Sequence, residues 1–497
     1  MTQTQIKDVY YTETYRPQFH YSPEANWLND PNGMVYYNGE YHLFYQYHPN
    51  GTTWGPMHWG HAVSSDLVSW EHLPIALKPD SIGAIFSGSA VVDWQDATGF
   101  FNGGSGLVAI FTHAGTYPDS DRSKQVQSIA YSKDNGRTWD LYEGNPVLSD
   151  ESQLDFRDPK VFWHTETNRW VMVLATGQTI SIYSSPDLKE WTFASEFGEN
   201  QGFHEGVWEC PDLFQLPVDG DESASKWVLL VSVGDNADFV EGSRTQYFIG
   251  EFDGTTFRNE NSEDTTLWLD YGRDNYAGVS WSDIPQSDSR RMYIGWMSNW
   301  KYANLTPSEK WRGAMTLPRT LSLASGKRGI RLIQSPVEEL KALRSQSILL
   351  KENEVIEKKE VVYTPDTNSY ELEAEFQLGD ASSFGFSLCT SSNEKTIVGY
   401  DVKSEKLFLD RTASGQSDFH QDFAAKHNAV LSSKHGKVKL QIFVDWSSVE
   451  VFANDGEVAM TDLIFPDRDS RAIELFAKNG QVELVSLTVH PLKKIWK

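Results

Sequence analysis

The chain has 497 residues, enough for two to four domains, the larger with a substantial core. Its formal net charge of −26 sets it against phosphate backbones and anionic lipid, so neither nucleic acid nor membrane is expected as a partner, whereas a neutral substrate fits. Its two cysteines, Cys210 and Cys389, cannot build a disulfide framework or a cysteine-based metal site.

The N-terminus, MTQTQIKDVYY, lacks the basic start and apolar run of a signal peptide, and no stretch reaches 18 uninterrupted apolar residues. The expectation is a cytoplasmic protein, or a secreted one whose leader lies outside this sequence. Eighteen Trp and 21 Tyr suit both a β core and the stacking of flat rings on sugars.

The first motif, NWLNDPNG (26–33), has the composition of a turn. Two aromatic and β-branched runs follow, GMVYY and YHLFYQYHP, around an NGE hairpin signal. The same order of acid, proline, apolar run, turn and apolar run returns in RDPKVFWHTETNRWVMVLATG (157–177) and ECPDLFQLPVDGDESASKWVLLVSV (209–233). Further hairpins start at 88 and 277 without the acid–proline opening. Between the units comes an Asp a few residues ahead of an aromatic, as in SSDLVSWEHL, SKDNGRTWDLY, SSPDLKEWTFA and EFDGTTFRNE. Five repeats of about four short strands predict an all-β, five-bladed propeller over residues 1–334.

SPVEELKALR then predicts a short linker helix at 335–346, with Ser335 as cap, Pro336 at the first helical position and Glu338 completing a capping box. Beyond it, SYELEAEFQL and SFGFSL alternate with period two. VKLQIFVDWSSVEVFANDGEVAM reads as two strands turning at Asn454, Asp455 and Gly456. Residues 347–497 are expected to form a β-sandwich.

If the blades repeat, Asp30, Asp158 and Glu209 open the first strands of three of them and converge on the central channel. Like charges so placed raise one another's pKa and are costly unless used. Two facing carboxylates are what glycosidic cleavage needs. Read singly, each acid is as well explained as a turn or capping residue; together, in matched settings, they point to catalysis. His58 and His61 of HWGH have no partners at metal spacing and read as one packed and one site-facing histidine. DGDES at 219 reads as a turn, GGSG at 103 lacks the context of a phosphate loop, and Cys210 reads as packed.

WLNDPNG, FSGSA (86–90), FRDPKVF (156–162) and WECPDLF (208–214) resemble the signature motifs of glycoside hydrolase family 32, the family of invertases, inulinases and levanases. HLFYQYHP, GPMHWGHAVS, WEHLPIAL, DYGRDNYA, IGWMSNWKYAN and DWSSVEVFANDG extend the resemblance over nearly the whole chain, which looks most like bacterial levanases and exo-acting fructan hydrolases. The resemblance implies Asp30 as nucleophile, Glu209 as general acid/base and Asp158 as transition-state stabiliser. It also implies a fructose pocket lined by Asn29, Gln46, Trp54, Phe86, Ser87, Arg157, Tyr276 and Trp296, with Trp27 packed beneath Asp30. It implies no metal and no organic cofactor. The expected activity is retaining, exo-acting hydrolysis of terminal β-fructofuranosyl units from levan, inulin or sucrose. A fructosyltransferase using the same acids is the alternative, and a non-catalytic fructan-binding protein a remoter one.

Overall fold

The computed structural model describes residues 10–496. Strands account for nearly all of its regular structure. Five antiparallel blades, I to V, each built on four strands, follow one another along the chain, IV and V being joined into one sheet where Val218 pairs with Leu323. Their innermost strands are Asn26–Tyr37, Ala84–Asp93, Arg157–His164, Trp208–Val218 and Tyr276–Ser280. Each packs against the innermost strand of the next blade, and that of blade V returns to blade I, closing the ring. A two-strand parallel ladder assists the closure: Trp311–Arg312 pairs with Asn26 and Trp27 on the edge of blade I.

The local sequence accounts for the hairpins. In blade I, Asn38 and Gly39 both adopt positive φ (48° and 88°), the two-residue turn whose twist matches that of its strands. The recurring Asp is a turn-former between the third and fourth strands of blades I to IV. Asp66, Asp187 and Asp253 each accept hydrogen bonds from the backbone N–H groups two and three residues on, and Asp134 from that of Thr138. The DGDES turn is also present, reduced to Asp219 and Gly220 before a strand starts at Asp221.

Three local expectations change. NWLNDPNG is not a turn; it belongs to the innermost strand of blade I, with register breaks at Leu28/Pro31 and Asn32/Val35. The linker helix is a single 3₁₀ segment, Glu338–Leu343, capped by no side chain. Ser335 and Pro336 finish a strand, paired with Thr320 and Arg319, because the last strand of blade V claims their backbone first. The segment VKLQIFVDWSSVEVFANDGEVAM makes three strands, Lys437–Asp445, Ser448–Ala453 and Val458–Leu463, since Trp446 and Ser447 add a second tight turn ahead of the one at Asn454–Gly456.

After the 3₁₀ segment, two six-stranded sheets face each other around a core that includes Phe376, Phe384, Phe386, Leu440 and Val451. A shared apolar cluster joins sandwich to propeller: Phe443, Phe452, Leu492 and Trp496 pack with Tyr21, Trp27, Tyr45 and Trp296. Buried charges cross the same boundary. Arg319 binds Asp270 (3.0 Å) and Glu450 (2.6 Å), and His20 lies between Asp445 and Glu450, 2.8 Å from each.

Candidate active site

The innermost strands carry the candidate residues at one end of the channel. All five break register there, between Leu28 and Pro31, Ile85 and Gly88, Arg157 and Lys160, Glu209 and Asp212, and Tyr276 and Val279. A break of this kind re-aims side chains that a regular strand would alternate between faces. The three acids are equivalent by element rather than by residue. Asp30 and Asp158 lie inside their breaks, whereas Glu209 is the last regularly paired residue before its own, opposite Ser232. Cys210 takes the place that the acid–proline pattern gives to an aspartate.

The residues meet around Cys210. Its Sγ lies 3.6 Å from Asp30 Oδ2 and 3.6 Å from Asp158 Oδ2, so the two carboxylates face each other across one sulfur atom. Its backbone N–H donates to Asp158 Oδ2 at 3.0 Å. Asp30 is held on both oxygens, by Asn29 Nδ2 (3.0 Å) and Ser87 Oγ (2.7 Å). Asn29 is in turn held by Trp27, whose Nε1 donates to its Oδ1 at 2.7 Å; Trp27 is fully buried beneath the strand. Arg157 donates to Glu209 Oε1 from two nitrogens (3.0 and 3.3 Å), and its Nε stands 3.9 Å from Asp158. Tyr276 donates its phenol proton to Glu209 Oε2.

Burial and Glu209's charge push Asp30 up to about 6, against the hydrogen bonds from Ser87 and Asn29. Asp158 is pushed up to about 7, by burial above all; Arg157 opposes the rise, and Glu209 and Asp30 add to it. Burial raises the Cys210 thiol and the Tyr276 phenol, which therefore stay neutral, and the nearby carboxylates add to both shifts. Burial alone would depress Arg157, but the charges of Glu209 and Asp158 hold it protonated.

The outer pocket residues divide. Trp54 is 48% exposed and meets Phe86 edge-on at 6.2 Å, an aromatic wall at the mouth. Gln46 is buried, with its amide nitrogen bonded to Asn32 Oδ1 (2.8 Å) and the Ile85 carbonyl (3.1 Å). Trp296 is fully buried behind Tyr276, its cross-strand partner. His61 is bonded to His42 (3.0 Å) and stacked on Phe44, and His58 is bonded to the Pro56 carbonyl. Neither contact reaches the acids, in place of the site-facing histidine expected.

Sequence reading missed three contributors. Cys210 was signalled by its place in ECP, beside the aspartates of NDP and RDP. Asp155, two residues ahead of Arg157, accepts a hydrogen bond from its guanidinium, and Gln125 of blade II accepts one at 3.3 Å. Nothing local marks Gln125, since only the ring brings it to blade III. Among the described residues no group of three or more His, Cys, Asp or Glu is arranged to hold a metal ion.

Carboxylates gathered at the axis of a five-bladed ring, one gripped by an arginine and a tyrosine, supply the acid pair that a glycoside hydrolase needs. The model of the glycosyl hydrolases family 32 N-terminal domain matches residues 20–336, and that of the family 32 C terminal matches residues 339–491. The chain belongs to glycosyl hydrolases family 32. It is 57% identical to a levanase of Bacillus subtilis (strain 168) over 98% of its own length and 72% of that protein's. It is 44% identical to a levanase of Bacillus sp. (strain L7), covering 98% of this chain and 53% of that one. Among solved structures, an exo-inulinase from Aspergillus awamori superimposes with a TM-score of 0.89 at 38% identity, covering 98% of this chain and all of that one. A β-fructofuranosidase from Schwanniomyces occidentalis, complexed with fructosyl-erythritol, gives 0.88 at 31% identity over 98% and 99% of the two chains.

Proposed function

We propose that the protein is an exo-acting, retaining β-fructofuranosidase that removes terminal fructose from fructans such as levan and inulin, and from sucrose. The observation that carries this reading is the convergence of Asp30, Asp158 and Glu209 around Cys210. Asp30, oriented on both oxygens by Asn29 and Ser87, attacks C2 of the terminal fructosyl unit. Glu209 gives its proton to the departing glycosidic oxygen, the C2–O bond breaks, and a fructosyl ester of Asp30 forms with inversion. Glu209, now ionised, takes a proton from water; the hydroxide attacks C2, the ester bond breaks, and β-fructose leaves with its configuration restored. Asp158 uses Oδ2 for the Cys210 N–H, which leaves Oδ1 to accept fructose hydroxyls. The buried negative charge around C2 favours the oxocarbenium-like transition state.

A ring closed at its axis and walled by Trp54 and Phe86 fits a chain end better than a chain interior, which favours exo attack. We also propose a division into a catalytic propeller at 1–334, a linker at 335–346 and a sandwich at 347–497, of which residues 1–9 and 497 lie outside the described part. Timed chromatography of digests of levan, inulin and sucrose tests the function. Fructose is expected as the dominant early product. Mixed oligosaccharides appearing first would replace the exo reading with an endo one. Longer oligosaccharides accumulating at high sucrose would establish the transferase.

A further inference from the structure

The innermost strands run away from the acids, and from Asp158 to Trp163 the chain climbs roughly 16 Å at ~3.3 Å per residue. At that far end lies a cavity of about 900 Å³, lined by the last residues of the innermost strands of blades II and III and by segments of blades IV and V. We propose that this cavity is a second, non-catalytic binding site for a segment of fructan chain. The inference rests on the fructan reading above.

Its walls have the chemistry of a sugar site. The exposed tryptophans among the described residues are Trp54, at the catalytic mouth, and Trp94 and Trp163, both lining this cavity (57% and 36% exposed). Indole faces left open to water are the surfaces on which the C–H faces of sugar rings stack. Trp94 is held in place: its Nε1 donates to Asp283 Oδ1 at 2.9 Å, while Asp283 Oδ2 accepts the Val92 N–H. Trp163 packs edge-on against Trp170 at 5.2 Å.

The lining also holds hydrogen-bonding capacity that the protein leaves unused. Trp170 Nε1 is buried and has no hydrogen-bond partner among the described residues; Asp212 Oδ2 accepts the Ser280 N–H at 2.6 Å, while its buried Oδ1 has no hydrogen-bond donor there and only the ion pair with Lys160 at 3.4 Å. An acceptor and a donor so placed match a hydroxyl-bearing ligand. The charges exclude an ion. Asp93, Glu166, Asp212 and Asp283 stand against Lys160, Arg169 and Arg291, with no cationic surplus for an anion. Both Asp283 oxygens are taken by Trp94 and Val92 and the Asp212 charge is balanced by Lys160, which leaves no open carboxylate pair for a cation, while Asp212 Oδ1, with no hydrogen-bond donor of its own, can still accept a hydroxyl. A neutral polyol chain remains, and the polymer whose end enters the catalytic mouth is such a chain.

The test is affinity electrophoresis of the full chain through gels containing levan, inulin or dextran, run with excess free fructose to fill the catalytic pocket. The proposal expects retardation by levan or inulin and not by dextran. The Trp94→Ala/Trp163→Ala variant is expected to lose about ten-fold in apparent fructan affinity, while Trp94→Phe/Trp163→Phe keeps most of it. kcat/KM on sucrose stays within about two-fold of the parent in both, because neither indole lies near the acids. No retardation of the parent, equal retardation by dextran, or undiminished retardation of the alanine variant overturns the proposal. If the double alanine variant fails to fold, Trp163→Ala alone decides, since the Trp163 side chain makes no hydrogen bond among the described residues. A parent that releases no fructose from levan or sucrose would refute the hydrolase reading instead, whatever the gels show.

Discussion

Asp30 carries opposed demands. As the proposed nucleophile it must be ionised, yet burial and Glu209 push it up to about 6. Replacing it with alanine removes the covalent route, and kcat on sucrose is expected to fall by at least about 10³ in a product assay. In the intact protein, kcat/KM is expected to fall as pH drops through about 6, where Asp30 gains its proton. Ser87→Ala deletes a hydrogen bond that favours the carboxylate, so this acid limb moves to higher pH by about half a unit or more. A limb that stays in place would detach Ser87 from the nucleophile. The sign for stability is the reverse of the usual carboxylate case. With a folded value near 6 against an ordinary 3.8, the folded protein binds the proton more tightly, so stability declines as pH rises from about 4 to 6 and stays lower above. Asp30→Asn is therefore expected to melt at a higher temperature than the parent near neutral pH, and the difference to vanish below about pH 4.

The strands that hold these residues show what a sequence discloses and what it hides. Repeats, hairpin signals and period-two runs are local, and they predicted five blades and a sandwich correctly. The turn read into NWLNDPNG was wrong because composition registers a break in regular pairing without telling whether the chain reverses or merely bulges. Gly33 carries that distinction. It sits at φ +55°, and a Cβ there would stand 2.6 Å from Phe44 Cδ2 and 2.9 Å from the Trp59 ring. Gly33→Ala combines backbone strain with overpacking, and denaturant titration is expected to show a loss of roughly 2 kcal/mol or more. The acids were legible as a set because each opens the same kind of strand. Gln125 was not, because it reaches Arg157 only across a blade boundary. The linker helix is shorter than expected for a comparable reason: capping preferences at Ser335 and Glu338 are worth ~1 kcal/mol, less than completing a sheet.

Propeller and sandwich share one apolar cluster and a chain of buried charges, so they are expected to unfold in a single transition. Arg319 binds Asp270 on the propeller and Glu450 on the sandwich with its side chain fully buried. Arg319→Met strands both carboxylates, and calorimetry is expected to show a loss of about 3–5 kcal/mol. His20 makes the joint sensitive to alkali. Its bonds to Asp445 and Glu450 overcome the opposing effect of burial and raise it to about 9 from an ordinary 6.5. Its contribution is complete below about 6.5 and lost as pH rises through about 9, and His20→Asn is expected to flatten that slope. The ladder of Asn26 and Trp27 with Trp311 and Arg312 also has a consequence in time. A ribosome releases Asp30 nearly three hundred residues before the strand that fastens its own, and the N–H groups of Gln18 and Phe19 wait for Asp445, later still. The strand of Asp30 is thus among the first made and the last secured. A nascent chain halted before residue 310 should be nicked by protease ahead of residue 40 while blades II to IV resist, and that sensitivity should end only once the sandwich has emerged.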